Sequence, residues 1–130
     1  MADIIRTWPA AVPAKTVAEI FSDIPFGDFY FTLGRGKPKQ PIERLWWTYQ
    51  GRILGSFKVK RIVQNDGTLP RLSRLDGQES EWHIRPDHWV AICTSGCDRI
   101  RERVFYSGFR GFRYFDFNSY KNTPAAGIRL

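Results

Sequence analysis

Between Ile42 and Ile62 the chain reads IERLWWTYQGRILGSFKVKRI, with apolar and polar side chains alternating on both sides of Gln50-Gly51. Leu45, Trp47 and Tyr49 fall on one face, and Arg44, Trp46 and Thr48 on the other. Past the turn, Phe57 and Val59 alternate with Ser56, Lys58 and Lys60. Aromatic and β-branched residues at a period of two suit a half-buried sheet, so the stretch predicts a barrel-forming hairpin with an apolar inner face and a basic outer one. Gly51 supplies the turn, and Gly55 inside the second run predicts a bulge or the close approach of another backbone. Two adjacent tryptophans cannot both point inward along a strand, and the alternation sends Trp46 outward to an exposed position.

Other elements fall in place around this hairpin. Thr16-Val-Ala-Glu19 has the spacing of a capping box, and Val17, Ile20, Phe21 and Ile24 follow at helical spacing until Pro25 stops the run. A strand follows at Asp28 to Gly34, with Phe29, Phe31 and Leu33 sharing a face opposite Tyr30 and Thr32. Asn65 to Thr68 marks a turn, and Leu69, Leu72 and Leu75 suggest one short helical turn over a barrel end. Residues 76–87 are polar and carry Trp82 and His83 among charges, where a ring is either a lid or a stacking platform. His88 to Cys93 reads as a strand, Thr94 to Asp98 as a turn, and Phe112 to Phe117 as a last strand after Gly108 and Gly111; Ile100 and Val104 face inward.

Length and composition narrow the class. At 130 residues and 42% hydrophobic, the chain predicts one domain over residues 1–130 with one core. No run approaches the ~20 apolar residues of a membrane span, and no targeting signal is visible, so a cytoplasmic protein is expected. Two cysteines do not make a disulfide scaffold. No cofactor motif is present, none is expected, and the oligomeric state is open.

Charge changes the picture most. The formal net charge is +7, and it is unevenly placed. Residues 35–74 carry ten Lys and Arg against two acids, and residues 99–130 seven against two, while residues 75–98 between them carry one against five. Two basic segments therefore flank an acidic one. Such a balance favours a polyanionic partner, RNA or DNA, and arginine matches phosphates and base edges and stacks on rings. The closing RIRERVFYSGFRGFRYFDF interleaves seven aromatics with five arginines, the combination that holds single strands or unstacked bases.

Several side-chain sets carry candidate chemistry. The GRGKPKQP loop at residues 34–41 offers backbone N–H groups and cations to a phosphate, although it lacks the P-loop pattern. A base stacked on Trp46 would be held by Lys37, Lys39, Arg44 and Arg110 or Arg113, with Trp82 as a second platform. Lys39 and Glu43 form a base and acid pair if the lysine is desolvated; surface ion pairing is the plainer reading. His83, His88, Cys93 and Cys97 are all the His and Cys of the chain, and they fall within one short segment. Two imidazoles and two thiolates can fill a zinc site, but a strand from Trp89 to Cys93 sets His88 and Cys93 on opposite faces, which favours buried core cysteines.

The WWTYQGRILGSFKVKRI strand pair, the FYFTLGRGKP strand and loop, and the closing GFRGFRYFDF together resemble the PUA-like superfamily, the small barrels of ASCH and EVE type. The likeness covers Asp28 to Ile62 and the last strand. It implies an α+β fold, a PUA-like mixed β-barrel with one or two short helices, that binds RNA, modified bases or nucleotides in a cleft beside the barrel. In the ASCH signature GxKxxExR the Lys and Glu are three apart; here Lys39 and Glu43 are four apart and Arg44 directly follows. The expectation is a nucleic-acid-binding module that reads RNA or a modified or unstacked base in a basic, aromatic-lined cleft, more a binder than an enzyme. The alternatives are a small ASCH-type nuclease or nucleoside amidohydrolase, or a protein-interaction module with an acidic partner.

Overall fold

A computed structural model describes residues 1–8, 10–20, 28–66, 86–94 and 97–127. The Leu69, Leu72 and Leu75 turn, Trp82 and His83, and the helix positions Phe21, Ile24 and Pro25 lie outside the described residues. The elements run β1 (Ala2–Trp8), α1 (Ala14–Ile20), β2 (Asp28–Gly34), β3 (Ile42–Tyr49), β4 (Arg52–Gln64), β5 (Trp89–Thr94), β6 (Asp98–Arg99), β7 (Phe112–Phe115) and α2 (Phe117–Tyr120), with a last 3-10 turn at Pro124–Gly127. Strand order is β2-β5-β4-β3-β1-β7, with β6 on β4, and every pairing is antiparallel except β1 with β3. The result is a strongly curled, mostly-sheet half-barrel with few helices.

The hairpin forms where the alternation puts it. Gln50 and Gly51 take φ values of 50° and 80°, the left-handed pair that lets a two-residue turn match the twist of its strands. The 13-residue β4 then serves both halves of the sheet: Arg52 to Lys58 pairs with β3, and Val59 to Gln64 with β5. It changes partner through two bulges, at Leu54 and at Lys60, where an extra residue bends the strand. Gly55 stands beside the first, opposite Arg99 of β6. A Cβ there would collide with the Asp98 carbonyl and lie 3.0 Å from the Cys97 Sγ, so only glycine lets β6 approach.

Two apolar clusters lie on opposite faces of β1 and β3. The inner one joins Ile4, Trp8, Val17, Phe31, Leu33, Leu45, Trp47, Phe57 and Ala91. Phe57 is wholly buried, and truncating such a ring costs about 3–5 kcal/mol. The outer cluster joins Ile5, Trp46, Ile53, Val104, Phe115 and Ala126, because residues 100–127 fold back over the outer face. The expected basic outer face is thus covered along β1 and the early part of the hairpin; even Thr48 there is 0% exposed and donates to the Tyr106 carbonyl.

Four local readings are corrected. β1 was not foreseen: Ile4 and Ile5 are adjacent and both 0% exposed, so a strand buried on both faces shows no alternation. Helix α1 begins at Ala14, with the Pro13 carbonyl accepting from Val17 N at 3.2 Å, so the helix starts two residues before Thr16, which lies inside it and not at its N-cap. The last strand ends at Phe115 because Asp116 caps α2, accepting from Ser119 N at 3.1 Å. Trp46 is on the outer face as the alternation requires, yet it is only 8% exposed. Among the described residues, no helix is long and apolar enough to cross a membrane.

Candidate nucleic-acid interface

Two of the clefts on the described surface have opposite chemistry. The larger, about 800 Å³, lies at the start of β1 and β3 and takes in Arg44 and Trp46. Its walls also carry Asp3, Glu43 and Asp116. A bulge explains Glu43: Ala2 faces Ile42 and Asp3 faces Arg44, which leaves Glu43 as the extra residue, turned to solvent. Arg44 is not free to meet a phosphate, because its Nε donates to Ser56 Oγ at 2.7 Å and its Nη2 to the Asp98 carboxylate. Trp46 already has a ring against it, Phe117 at 4.5 Å and 17° between planes, and its Nε1 donates to Asp3 Oδ2 at 2.9 Å. The expected open stacking platform is therefore occupied by the chain itself, in a cleft whose one arginine is paired and whose carboxylates repel phosphate.

Lys39 and Glu43 are both exposed, so the desolvation that acid and base work by this pair would need is missing. The Lys39 backbone N–H donates to the Tyr114 hydroxyl at 2.6 Å, which ties the glycine-rich loop to β7. Lys37 lies over the Trp89 ring at 4.9 Å, and Arg113 over the Phe109 ring at 4.2 Å. These cations rest on rings of the protein and stay exposed, as does Arg110. Arg44, by contrast, is held in an ion pair with Asp98.

The smaller cleft, about 390 Å³, sits at the turn end of the hairpin and is lined by Tyr49, Gln50, Arg52, Leu54, Arg103 and Phe105. Backbone pairing builds it. Ile53 N donates to Val104 O at 2.9 Å, Tyr106 N to Gly51 O at 2.9 Å, and Arg52 forms an isolated antiparallel bridge with Phe105, so residues 104–106 run beside the start of β4. Val104 is 4% exposed and anchors in the outer cluster; alternation then turns Arg103 and Phe105 the other way, toward the cleft. Arg52 and Arg103 are both exposed, and neither pairs with an acid among the described residues. Tyr49 is fixed in the wall, donating its hydroxyl to Val12 O at 2.5 Å. Arg52 comes from one basic segment and Arg103 from the other, so the fold brings the two segments together at a cleft walled by rings. Arg52, Arg103 and Phe105 were not singled out from sequence; the signal was Val104 facing inward, which fixes the direction of its two neighbours.

The His and Cys set does not assemble among the described residues. Cys93 and Cys97 lie buried in the inner apolar cluster and are not joined in a disulfide, and burial pushes the Cys97 thiol up to about 12. His88 is half-buried at the mouth of β5, where its carbonyl accepts from Asn65 N at 2.8 Å. No group of three or more metal-ligating side chains occurs among the described residues. Comparison with protein families, with curated proteins and with solved structures gives no match, so nothing identifies a PUA-like superfamily and the clefts are read from their own geometry.

Proposed function

We propose that this protein is a nucleic-acid-binding module that takes an unstacked base and its flanking phosphates at the Arg52–Arg103–Phe105 cleft. One observation carries the reading: two exposed arginines, one from each basic segment and neither paired with an acid among the described residues, flank a half-buried ring in a cleft of about 390 Å³. That volume is within the range of ligand-holding pockets, about 300–1,000 Å³. A base stacked on a protein ring contributes roughly 1–3 kcal/mol, and guanidinium groups hold phosphates and stack in their turn. The formal charge of +7 adds a sequence-independent attraction. Kinship with PUA-like domains belongs to the same proposal, supported by the curled half-barrel and by the hairpin motif. The hydrolytic alternative rests on Lys39 and Glu43, and their exposure gives it no support.

The test is a binding titration of labelled single-stranded RNA and DNA at several salt concentrations. Each phosphate contact on a single strand contributes about −0.7 to the slope of log K against log salt. A linear fall with a slope of at least two contacts is expected. A flat dependence, or no binding at low salt, contradicts the proposal.

A further inference from the structure

Arg6 stands on the inner face of β1, between Ile4 and Trp8, both of the inner apolar cluster. It is in register with Trp47 on β3 and with Phe112 on β7. Its Nε and Nη1 are buried with no acceptor among the described residues, and so are the indole Nε1 atoms of Trp8 and Trp47. The two tryptophans are each 5% exposed, with ring centroids 4.5 Å apart, and Phe31 packs edge-on against them at 6.1 and 5.0 Å. Among the described residues, no carboxylate pairs with Arg6. Burial pulls the Arg6 pKa below its ordinary value.

Folded proteins give the large majority of buried polar groups a partner, and Arg6, a half-buried cation with two guanidinium nitrogens shut from water and unpaired among the described residues, is a costly exception. The outer face follows that rule: Trp46 donates its indole N–H to Asp3. Among the described residues, the inner face breaks it at four nitrogens on three neighbouring side chains, around one positive charge and against aromatic walls. The chemistry missing there is an acceptor that is negative and sits on an apolar body.

We propose that the inner face of the half-barrel is a binding site for a small molecule bearing an oxyanion, carboxylate or phosphate. Its oxygens accept from Arg6, Trp8 and Trp47, and its apolar part lies against the rings of Trp8, Trp47 and Phe31. None of these residues lines the Arg52–Arg103 cleft. The site therefore stands apart from the nucleic-acid reading.

The experiment titrates the whole chain with benzoate, phenyl phosphate and the neutral benzyl alcohol at constant ionic strength in chloride, following Tm and tryptophan emission. At least one of the two anions should raise Tm saturably, by roughly 5–10 °C near a hundredfold excess over its Kd, and shift the emission, while benzyl alcohol does neither. Which anion acts separates a carboxylate ligand from a phosphate one. Arg6→Met should fold, with an unliganded Tm equal to or above that of the wild type, and lose both responses. Trp8→Phe, which keeps a ring but removes one donor, should weaken anion binding about tenfold or more. Neither anion binding with Kd below about 1 mM would overturn the proposal. So would an undiminished response in Arg6→Met, which would place the anion on the basic surface, or failure of that variant to fold, which would mean that the guanidinium is already satisfied.

Discussion

The Arg44–Trp46 and Arg52–Arg103 clefts are built from the same materials, an arginine or two beside aromatic rings, and differ in what the fold brings next to them. At the start of β1 and β3, Arg44 meets Asp98 and Ser56, Trp46 meets Phe117 and Asp3, and Glu43 and Asp116 add two further carboxylates to the walls. At the hairpin turn, Arg52 and Arg103 meet no acid among the described residues, and Phe105 keeps part of its surface open. Segment charge is therefore a poor guide to a site. The carboxylates that matter came from sequence-distant places, Asp3, Asp98 and Asp116, and they neutralise one cleft and leave the other basic.

The largest expected effect breaks or upholds the structural side of this contrast. Trp46→Ala and Trp47→Ala should each destabilise the protein by about 3–5 kcal/mol, because both rings are buried, one in each cluster. Chemical denaturation checks it. A Trp46→Ala protein of wild-type stability that binds nucleic acid poorly would mean that the acidic cleft, and not the basic one, takes the base.

Next in size, Phe105→Ala should weaken single-strand binding by roughly 1–3 kcal/mol, the range for losing one stacked base. Its own stability loss should be smaller than that of either tryptophan, since the ring is half-exposed. Comparing Kd with the unfolding free energy separates the two effects. Equal binding by Phe105→Ala and wild type would remove the ring from the site.

The faces of the hairpin were legible in the sequence, and so were β2, β5 and the turn at Gln50-Gly51, because a strand with one covered face repeats at two. What covers the other face was not legible. Alternation places Trp46, Arg44 and Thr48 outside but cannot tell that residues 100–127 return over Trp46 and Thr48, since that depends on contacts more than fifty residues away. β1 was lost for a related reason, its two isoleucines facing two different cores. The candidate site followed the same division. Arginine and aromatic interleaving in the closing segment was visible, whereas the pairing of Arg52 with Phe105 is a property of the fold.

The smallest expected effect sharpens the electrostatic side. Asp98 is 76% exposed, so its ion pair with Arg44 contributes less than about 1 kcal/mol, and Asp98→Asn should leave Tm within a few degrees of wild type. Freeing Arg44 should tighten nucleic-acid binding slightly at low salt. Weaker binding by this variant would show that the Arg44 and Asp98 pair itself takes part in the interface.

The most direct test of the central claim sets two charge-matched double variants against each other, Arg52→Ala with Arg103→Ala and Lys37→Ala with Lys39→Ala. Each removes two exposed cations, so any difference reports position rather than net charge. The account predicts that the arginine pair lowers the magnitude of the single-strand salt slope by about 1.4, two contacts at about 0.7 each, while the lysine pair changes it by less than one contact. Equal slopes for the two double variants would contradict it, leaving a diffuse basic surface in place of a cleft.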